Sequence, residues 1–304
     1  MKQFNNIKKH GKQSMHLIID SNQLQHPNLR DFLTNPKNRA ILTDFSAMEA
    51  YKGDTLNSIF KSMSVVSDFP SQVVILKGSA KICGMSGRQK DLQRRLIDKA
   101  QTSEFPKFAH DLRKAELGDI LLRQQLIDLG KSANEHLDKM LIDTEQMREA
   151  FVILGNEYTK EERATLREQR VYTPSMVERL ARTLLQITGQ IFENAPIVRK
   201  TPSSQELPNT LIFRFSLACY VMAITRSARG GMRNMRPDRL RNDLVDMILV
   251  AYGTYFDGIM SDDENVNIMF TETCLILAGL FKAEIPALNR LTSSNSYQIN
   301  RAHQ

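Results

Sequence analysis

Hydrophobic positions fall into two patterns along this chain, short apolar runs and long stretches with helical spacing. Short runs occur at 17–19, 40–42, 71–76 and 258–260, each next to polar or turn-forming residues. Runs of this length and setting predict strands that are buried on both faces of a parallel sheet. We therefore expect an α/β fold whose sheet takes strands from both ends of the chain.

Helical spacing dominates between these strands. Helices are predicted at 88–100, 105–130, 134–154, 160–170, 175–194, 210–225, 238–254 and 272–281. Shorter helices at 28–33, 46–51 and 54–64 separate the first three strands, with Ser46 and Asp54 as N-caps of the last two. We expect residues 14–80 and 236–285 to form one discontinuous domain, with 81–235 as a mostly α-helical insertion and 286–304 as a flexible tail.

Acidic residues follow several of the predicted strands. Asp20 comes directly after the first, and Asp262 and Asp263 follow the last. Asp243 and Asp246 are three residues apart, so they share one face of the 238–254 helix. Open α/β sheets place ligands at the carboxyl ends of their strands, and hard cations such as Mg²⁺ and Mn²⁺ prefer oxygen ligands. The candidate metal ligands are Asp20, Glu49, Asp243, Asp246, Asp262 and Asp263.

Each acid also has an ordinary structural explanation. Asp20 and Asp263 are typical strand-end turn residues. Glu49 stands three residues after Ser46, the spacing of a capping box. The two acids of the 238–254 helix suit a first turn, where the helix dipole favours negative charge, or a cap after Arg241. Taken jointly, the metal site is favoured for Asp20, Glu49, Asp246 and Asp263.

Basic residues indicate a polyanionic partner. The chain has 41 Lys and Arg against 34 Asp and Glu, a net charge of +7, which favours binding to nucleic acid. The planar guanidinium fork suits phosphate, and we expect phosphate contacts from a run of six arginines, Arg226, Arg229, Arg233, Arg236, Arg239 and Arg241. A solvated loop with helix-end charges is the structural alternative.

Several functional classes lack their sequence signals. The three cysteines, Cys83, Cys219 and Cys274, are widely spaced, which favours buried thiols in a reducing compartment over disulfides or zinc. No phosphate-loop, dinucleotide or acyl-transfer motif occurs. The apolar runs at 211–224 and 274–281 stop short of a bilayer span, and the N-terminal apolar stretch is too short for a signal peptide. We expect a cytoplasmic protein with no membrane association.

The acids and their surroundings resemble the PIN-domain nuclease family. Asp20 in Leu-Ile-Ile-Asp-Ser-Asn resembles the first acid of that family, and Glu49 in Ser-Ala-Met-Glu-Ala resembles the second. Asp246 resembles the third, with Asp243 one helical turn before it. The segment Ser-Asp-Asp at 261–263 resembles the closing Thr/Ser-x-Asp, with Asp263 best placed as the fourth acid.

The resemblance covers residues 14–77 and 236–281 and implies both a fold and an activity. The implied fold is a PIN-like parallel sheet flanked by helices. The implied activity is a Mg²⁺- or Mn²⁺-dependent nuclease, with RNA as the favoured substrate, whose catalytic residues are Asp20, Glu49, Asp246 and Asp263. Roles in toxin–antitoxin systems or phage defence are compatible with it.

Two alternatives come from other functional classes. One is a catalytically inactive PIN-like protein that binds nucleic acid or acts as a scaffold. In it the helical insertion, 81–235, would recruit a protein partner. The other is an all-helical interaction protein, in which the short apolar runs are not strands.

Overall fold

A four-stranded, all-parallel sheet flanked by helices forms the centre of the protein. The computed structural model describes residues 14–51, 56–142, 144–169, 171–194, 202–230 and 237–288. The strands are β1 (His16–Ile19), β2 (Arg39–Leu42), β3 (Val73–Ile75) and β4 (Ile259–Met260), in the order β3-β2-β1-β4. The prediction of a parallel sheet built from both ends of the chain is confirmed, and the all-helical alternative is wrong.

Helices make up most of the described chain. In chain order they are α1 (Pro27–Leu33), α2 (Asp44–Tyr51), α3 (Leu56–Asp68), α4 (Ser79–Cys83), α5 (Leu92–Leu96), α6 (Lys99–Glu116), α7 (Ile120–Ile142), α8 (Thr144–Asn156), α9 (Lys160–Gln169), α10 (Pro174–Asn194), α11 (Leu211–Ala228), α12 (Pro237–Gly253) and α13 (Glu264–Gly279). Single 3₁₀ turns lie at Ser21–Gln23, Pro70–Gln72 and Leu207–Asn209. Residue 54, the predicted cap of the 54–64 helix, lies outside the described residues.

Both faces of the sheet are buried, as the apolar runs predict. Leu17 and Ile19 pack on one face with residues of α1, α3 and α6, while Ile18 packs on the other face in the core that contains α11 and α12. This alternation follows from the two-residue period of a strand. Fully burying one such side chain stabilises the fold by about 1.5–3 kcal/mol.

Parts of the predicted 81–235 insertion belong to the two cores around the sheet. Helix α6 packs Phe105 and Leu112 into the core of one face, and α11 packs Phe213 and Leu217 into the core of the other. The helical block is thus joined to the sheet through buried contacts. The division into 14–80 with 236–285 stays a prediction, and most of the predicted tail, 289–304, lies outside the described residues.

Helix α11 corrects the expectation that the apolar run at 211–224 is too short to span a membrane. Its 18 residues are long and apolar enough to cross a bilayer by length and composition. Within the protein, 78% of this segment is buried, which is typical of a core helix. Thr210 caps the helix by accepting a hydrogen bond from the amide of Phe213 at 3.3 Å.

Several predicted helices have the wrong boundaries, and two of them break where a single predicted helix was expected to continue. The predicted 105–130 helix breaks at Gly118, whose φ of 117° suits glycine and ends α6 at Glu116. The predicted 88–100 helix is the short α5 followed by the start of α6. Between them Ile97 has extended backbone and forms an isolated bridge with Leu76.

Candidate functional site

The carboxyl ends of β1 and β4 bring together residues from opposite ends of the chain. Ile19 pairs with Met260, so Asp20 lies beside the residues that follow β4. Ser261 Oγ donates a hydrogen bond to Asp20 Oδ2 at 2.5 Å, although the two residues are 241 positions apart. The amide of Asp263 donates to the same Ser261 oxygen at 3.2 Å. Ser261 therefore connects the first and last of the predicted acids.

Glu49 lies at the same end of the sheet and does not form the capping box. Ser21 Oγ donates to Glu49 Oε2 at 2.5 Å. The cap of α2 is Thr43, whose Oγ1 accepts from the amide of Ser46 at 3.0 Å. The Ser46 hydroxyl donates instead to the carbonyl of Ile19 at 2.8 Å. The capping-box explanation of Glu49 is therefore wrong.

Asp243 and Asp246 lie inside α12 rather than in its first turn, since the helix begins at Pro237. The helix-dipole and capping explanations for these two acids are therefore wrong. Asp243 Oδ1 accepts a hydrogen bond from Arg226 of α11. Its Oδ2 is buried and has no hydrogen-bond partner among the described residues. Burial raises the pKa of Asp243, and the positive charges of Arg226 and Arg239 partly offset that rise.

The surroundings of Asp246 indicate that the acids lie close together. Burial and, after it, four neighbouring carboxylates, Asp20, Asp243, Asp263 and Glu49, together raise the pKa of Asp246 to about 8. Burial also raises the pKa of Asp20, with a smaller contribution from Glu49. The five acids act on one another electrostatically, and we call them the carboxylate cluster: Asp20, Glu49, Asp243, Asp246 and Asp263.

The two adjacent acids after β4 have different surroundings. Asp263 is the N-cap of α13 and accepts from the amides of Asn265 at 2.7 Å and Val266 at 3.4 Å. Asp262 lies 3.8 Å from Nε2 of His26, with 48% of its side chain exposed. The structure therefore places Asp263 in the carboxylate cluster and Asp262 beside His26.

A cleft of about 440 Å³ contains part of the carboxylate cluster together with arginines. Its lining includes Asp243, Asp246 and Asp263 as well as Arg226, Arg229 and Arg239. Negative ligands for a cation and positive groups for an anion therefore share one cavity.

The predicted phosphate-binding arginines differ in what they contact. Arg226 is bound to Asp243, and Arg229 Nη1 donates to Asn265 Oδ1 at 2.8 Å. Arg239 is exposed, while Arg241 donates to Asn242 Oδ1 at 3.4 Å. Arg233 and Arg236 lie outside the described residues.

The chemistry of the cluster fits Mg²⁺ or Mn²⁺. It offers only carboxylate oxygens, which these hard cations prefer, and the buried Asp243 Oδ2 still lacks a partner. As the side chains lie, the part of the chain that the structure describes has no three Asp, Glu, His or Cys groups arranged to hold one ion. Four acids are turned toward their own partners, namely Ser261, Ser21, Arg226 and the amides of α13. Binding one ion would therefore require side-chain rotation.

Sequence reasoning missed two contributors to this site. Ser21 holds Glu49, and Arg226 binds an acid of the cluster rather than presenting its guanidinium to solvent. Ser21 could have been found from the sequence. It directly follows Asp20, and residues at the end of one strand lie at the same edge of the sheet. The pairing of Arg226 with Asp243 depends on how α11 packs against α12, which no local pattern encodes.

Comparison of the chain with protein-family models, curated proteins and solved structures gives no significant match. The resemblance to PIN-domain nucleases stays a prediction from the sequence.

Proposed function

We propose that this protein is a PIN-like, Mg²⁺- or Mn²⁺-dependent nuclease with RNA as the favoured substrate. One observation carries the proposal. Acids from opposite ends of the chain converge at the carboxyl ends of β1 and β4, and the cleft that contains three of them also contains three arginines. An all-oxygen ligand set next to phosphate-binding groups is the chemistry that metal-assisted phosphodiester cleavage requires.

The carboxylate cluster would hold the cation. Asp20, Glu49, Asp246 and Asp263 are the proposed catalytic ligands, with Asp243 as a further ligand. When bound, the ion would polarise the phosphodiester and lower the pKa of an attacking water. The cluster favours such an ion because a double positive charge offsets the repulsion that raises the pKa of Asp246.

The arginines of the cleft would position the substrate. Arg229 and Arg239 line the cleft beside the acids, and their planar forks suit phosphate oxygens. Contacts of this kind set affinity and register on the nucleic-acid backbone and do not select a base sequence. Binding should therefore weaken as salt is raised.

Cleavage of labelled RNA in the presence of Mn²⁺ tests this function. We expect Asp246→Asn and Asp20→Asn each to lower the rate by about 100-fold, because each removes a charged ligand of the ion. Asp262→Asn is the matched control, since Asp262 lies beside His26, and it should retain activity close to that of the wild type. Full activity in both D246N and D20N would refute the site assignment.

The alternative is a catalytically inactive PIN-like protein that binds nucleic acid or acts as a scaffold. Leu117, Ile120 and Leu121 favour it, because they are 89%, 80% and 78% exposed at the junction of α6 and α7. Neighbouring exposed apolar residues of this size often mark a protein-binding surface. Calorimetry with Mn²⁺ separates the two functions. RNA binding with no Mn²⁺ binding at micromolar concentration would favour the scaffold.

A further inference from the structure

Arg226 lies at the junction of the carboxylate cluster and the cleft. It belongs to the last turn of α11, and its guanidinium donates to Asp243, with 23% of the Arg226 side chain and 11% of the Asp243 side chain exposed. A bond between two charged groups with so little exposure is stronger than an ion pair on an open surface. Asp243 is therefore held by a cation that the protein itself supplies.

The bond between Arg226 and Asp243 uses only part of the carboxylate. Asp243 is 8% exposed and lines the cleft, and its Oδ2 has no hydrogen-bond partner among the described residues. A buried oxygen of this kind is costly unless a hydrogen-bond donor or a cation reaches it. Asp246 lies one helical turn further along α12 and lines the same cleft. The two carboxylates thus present a cation-binding position in which an ion would compete with Arg226 for the charge of Asp243.

Arg226 also has the length and position to leave Asp243. Its side chain is long and flexible, and it lines the cleft in which Arg229 and Arg239 are found. Asp243, by contrast, is fixed on a helix whose neighbouring residues are buried in the core, Leu240, Leu244 and Met247. When the pair separates, the arginine is the partner that moves.

On the basis of the nuclease function proposed above, we infer that Arg226 is an exchangeable counter-cation of the metal site. Without a divalent ion, Arg226 occupies Asp243. When the ion binds Asp243, Arg226 leaves the carboxylate, and its released guanidinium is free to contact a phosphate of the substrate in the same cleft. Because binding effects between two sites are reciprocal, the ion and the anionic substrate should then each increase affinity for the other.

Mn²⁺ affinity in three proteins tests this exchange. The proteins are the wild type, Arg226→Gln and Arg239→Gln, measured by isothermal titration calorimetry. Arg239 is the matched control, because it lines the same cleft and its charge acts on Asp243, but no hydrogen bond joins the two among the described residues. We expect R226Q to tighten Mn²⁺ binding by about tenfold and R239Q by about twofold or less, since only Arg226 competes for a ligand.

RNA affinity in chelator provides a second readout. With no divalent ion present, Arg226 is engaged by Asp243 and should contribute little to binding a short RNA. R226Q should then bind that RNA as the wild type does, while R239Q should bind about threefold more weakly. If R226Q and R239Q lost RNA affinity to the same extent, the exchange would be overturned.

The outcomes separate this inference from the proposed function. Equal Mn²⁺ affinities in R226Q and R239Q would overturn the exchange and leave the metal site intact. Absence of Mn²⁺ binding in all three proteins would overturn both. If circular dichroism shows that R226Q does not fold, Arg226→Lys keeps the charge with a poorer fit to carboxylate. R226K should also bind Mn²⁺ more tightly than the wild type does. An Mn²⁺ affinity equal to that of the wild type would count against the exchange.

Discussion

Burial and like charge act together on a single carboxyl group in Asp246. Its pKa is raised from 3.8 to about 8, because the half-buried carboxyl is partly removed from water and has four carboxylates around it. Between these two pH values the folded protein therefore binds more protons at this position than the unfolded chain does. Its contribution to stability is complete below pH 3.8 and is lost as the pH rises through about 8.

Asp246→Asn should therefore stabilise the metal-free protein at neutral and alkaline pH. In chelator at pH 8 we expect the free energy of unfolding of D246N to exceed that of the wild type by about 2–4 kcal/mol. At pH 4 the two should differ little, because the wild-type carboxyl is then protonated in the folded protein. Urea unfolding across this pH range measures the effect. If the free energy of unfolding changed with pH in the same way in both proteins, Asp246 would not titrate as described.

Ser261 is a second residue whose removal has a defined effect. Ser261→Ala removes the donor to Asp20 and the acceptor of the Asp263 amide, so Asp20 loses a buried hydrogen bond and the amide a half-buried one. We expect the free energy of unfolding to fall by about 1–2 kcal/mol. The pKa of Asp20 should rise further, because its hydrogen bond to Ser261 lowers it.

Ser64→Ala is the control for that measurement. Ser64 also donates one hydrogen bond, to the carbonyl of Lys61 at 2.8 Å, but on an exposed helix surface. Its change should alter stability by less than about 0.5 kcal/mol in the same urea titration. Equal losses in S261A and S64A would mean that Ser261 has no special role between the two strand ends.

At the scale of elements, strands were predictable because both sheet faces are buried. The runs at 17–19 and 40–42 each lie within a strand that starts one residue earlier, and the runs at 71–76 and 258–260 contain β3 and β4. Helix ends were less predictable, because they depend on single residues whose conformation is set locally. The predicted 272–281 helix begins eight residues too late, since Asp263 caps α13 and allows it to start at Glu264.

Gly118 and Gly189 offer a paired test at the same scale. Neither has any atom within 4 Å of an added Cβ, so a change to alanine acts through the backbone alone. Gly118 has φ +117°, which alanine rarely adopts, and G118A should destabilise the protein by about 1–3 kcal/mol. Gly189 lies inside α10, where alanine is the better helix former, and G189A should stabilise by about 0.5–1 kcal/mol. Thermal unfolding of both variants shows whether each change raises or lowers stability. If G118A raised it, the backbone at Gly118 between α6 and α7 would not require glycine.

At the scale of the whole molecule, the position of the acids was predictable and their partners were not. A parallel sheet brings strand ends to one edge, so Asp20 and Asp263 could be placed together from their sequence neighbours. The resemblance favoured Asp263 over Asp262 as the fourth acid, but the contacts of the two side chains with α13 and His26 could not be predicted. The pairing of Arg226 with Asp243 likewise depends on tertiary packing between α11 and α12.

The pairing of β1 with β4 also fixes when the site can form during synthesis. A chain leaving the ribosome presents β1, β2 and β3 long before residue 259 has been joined. Until then Asp20 has neither Ser261 nor the carboxylates of α12 and α13 beside it. Under the proposed nuclease function, activity would therefore arise only after β4 has paired with β1.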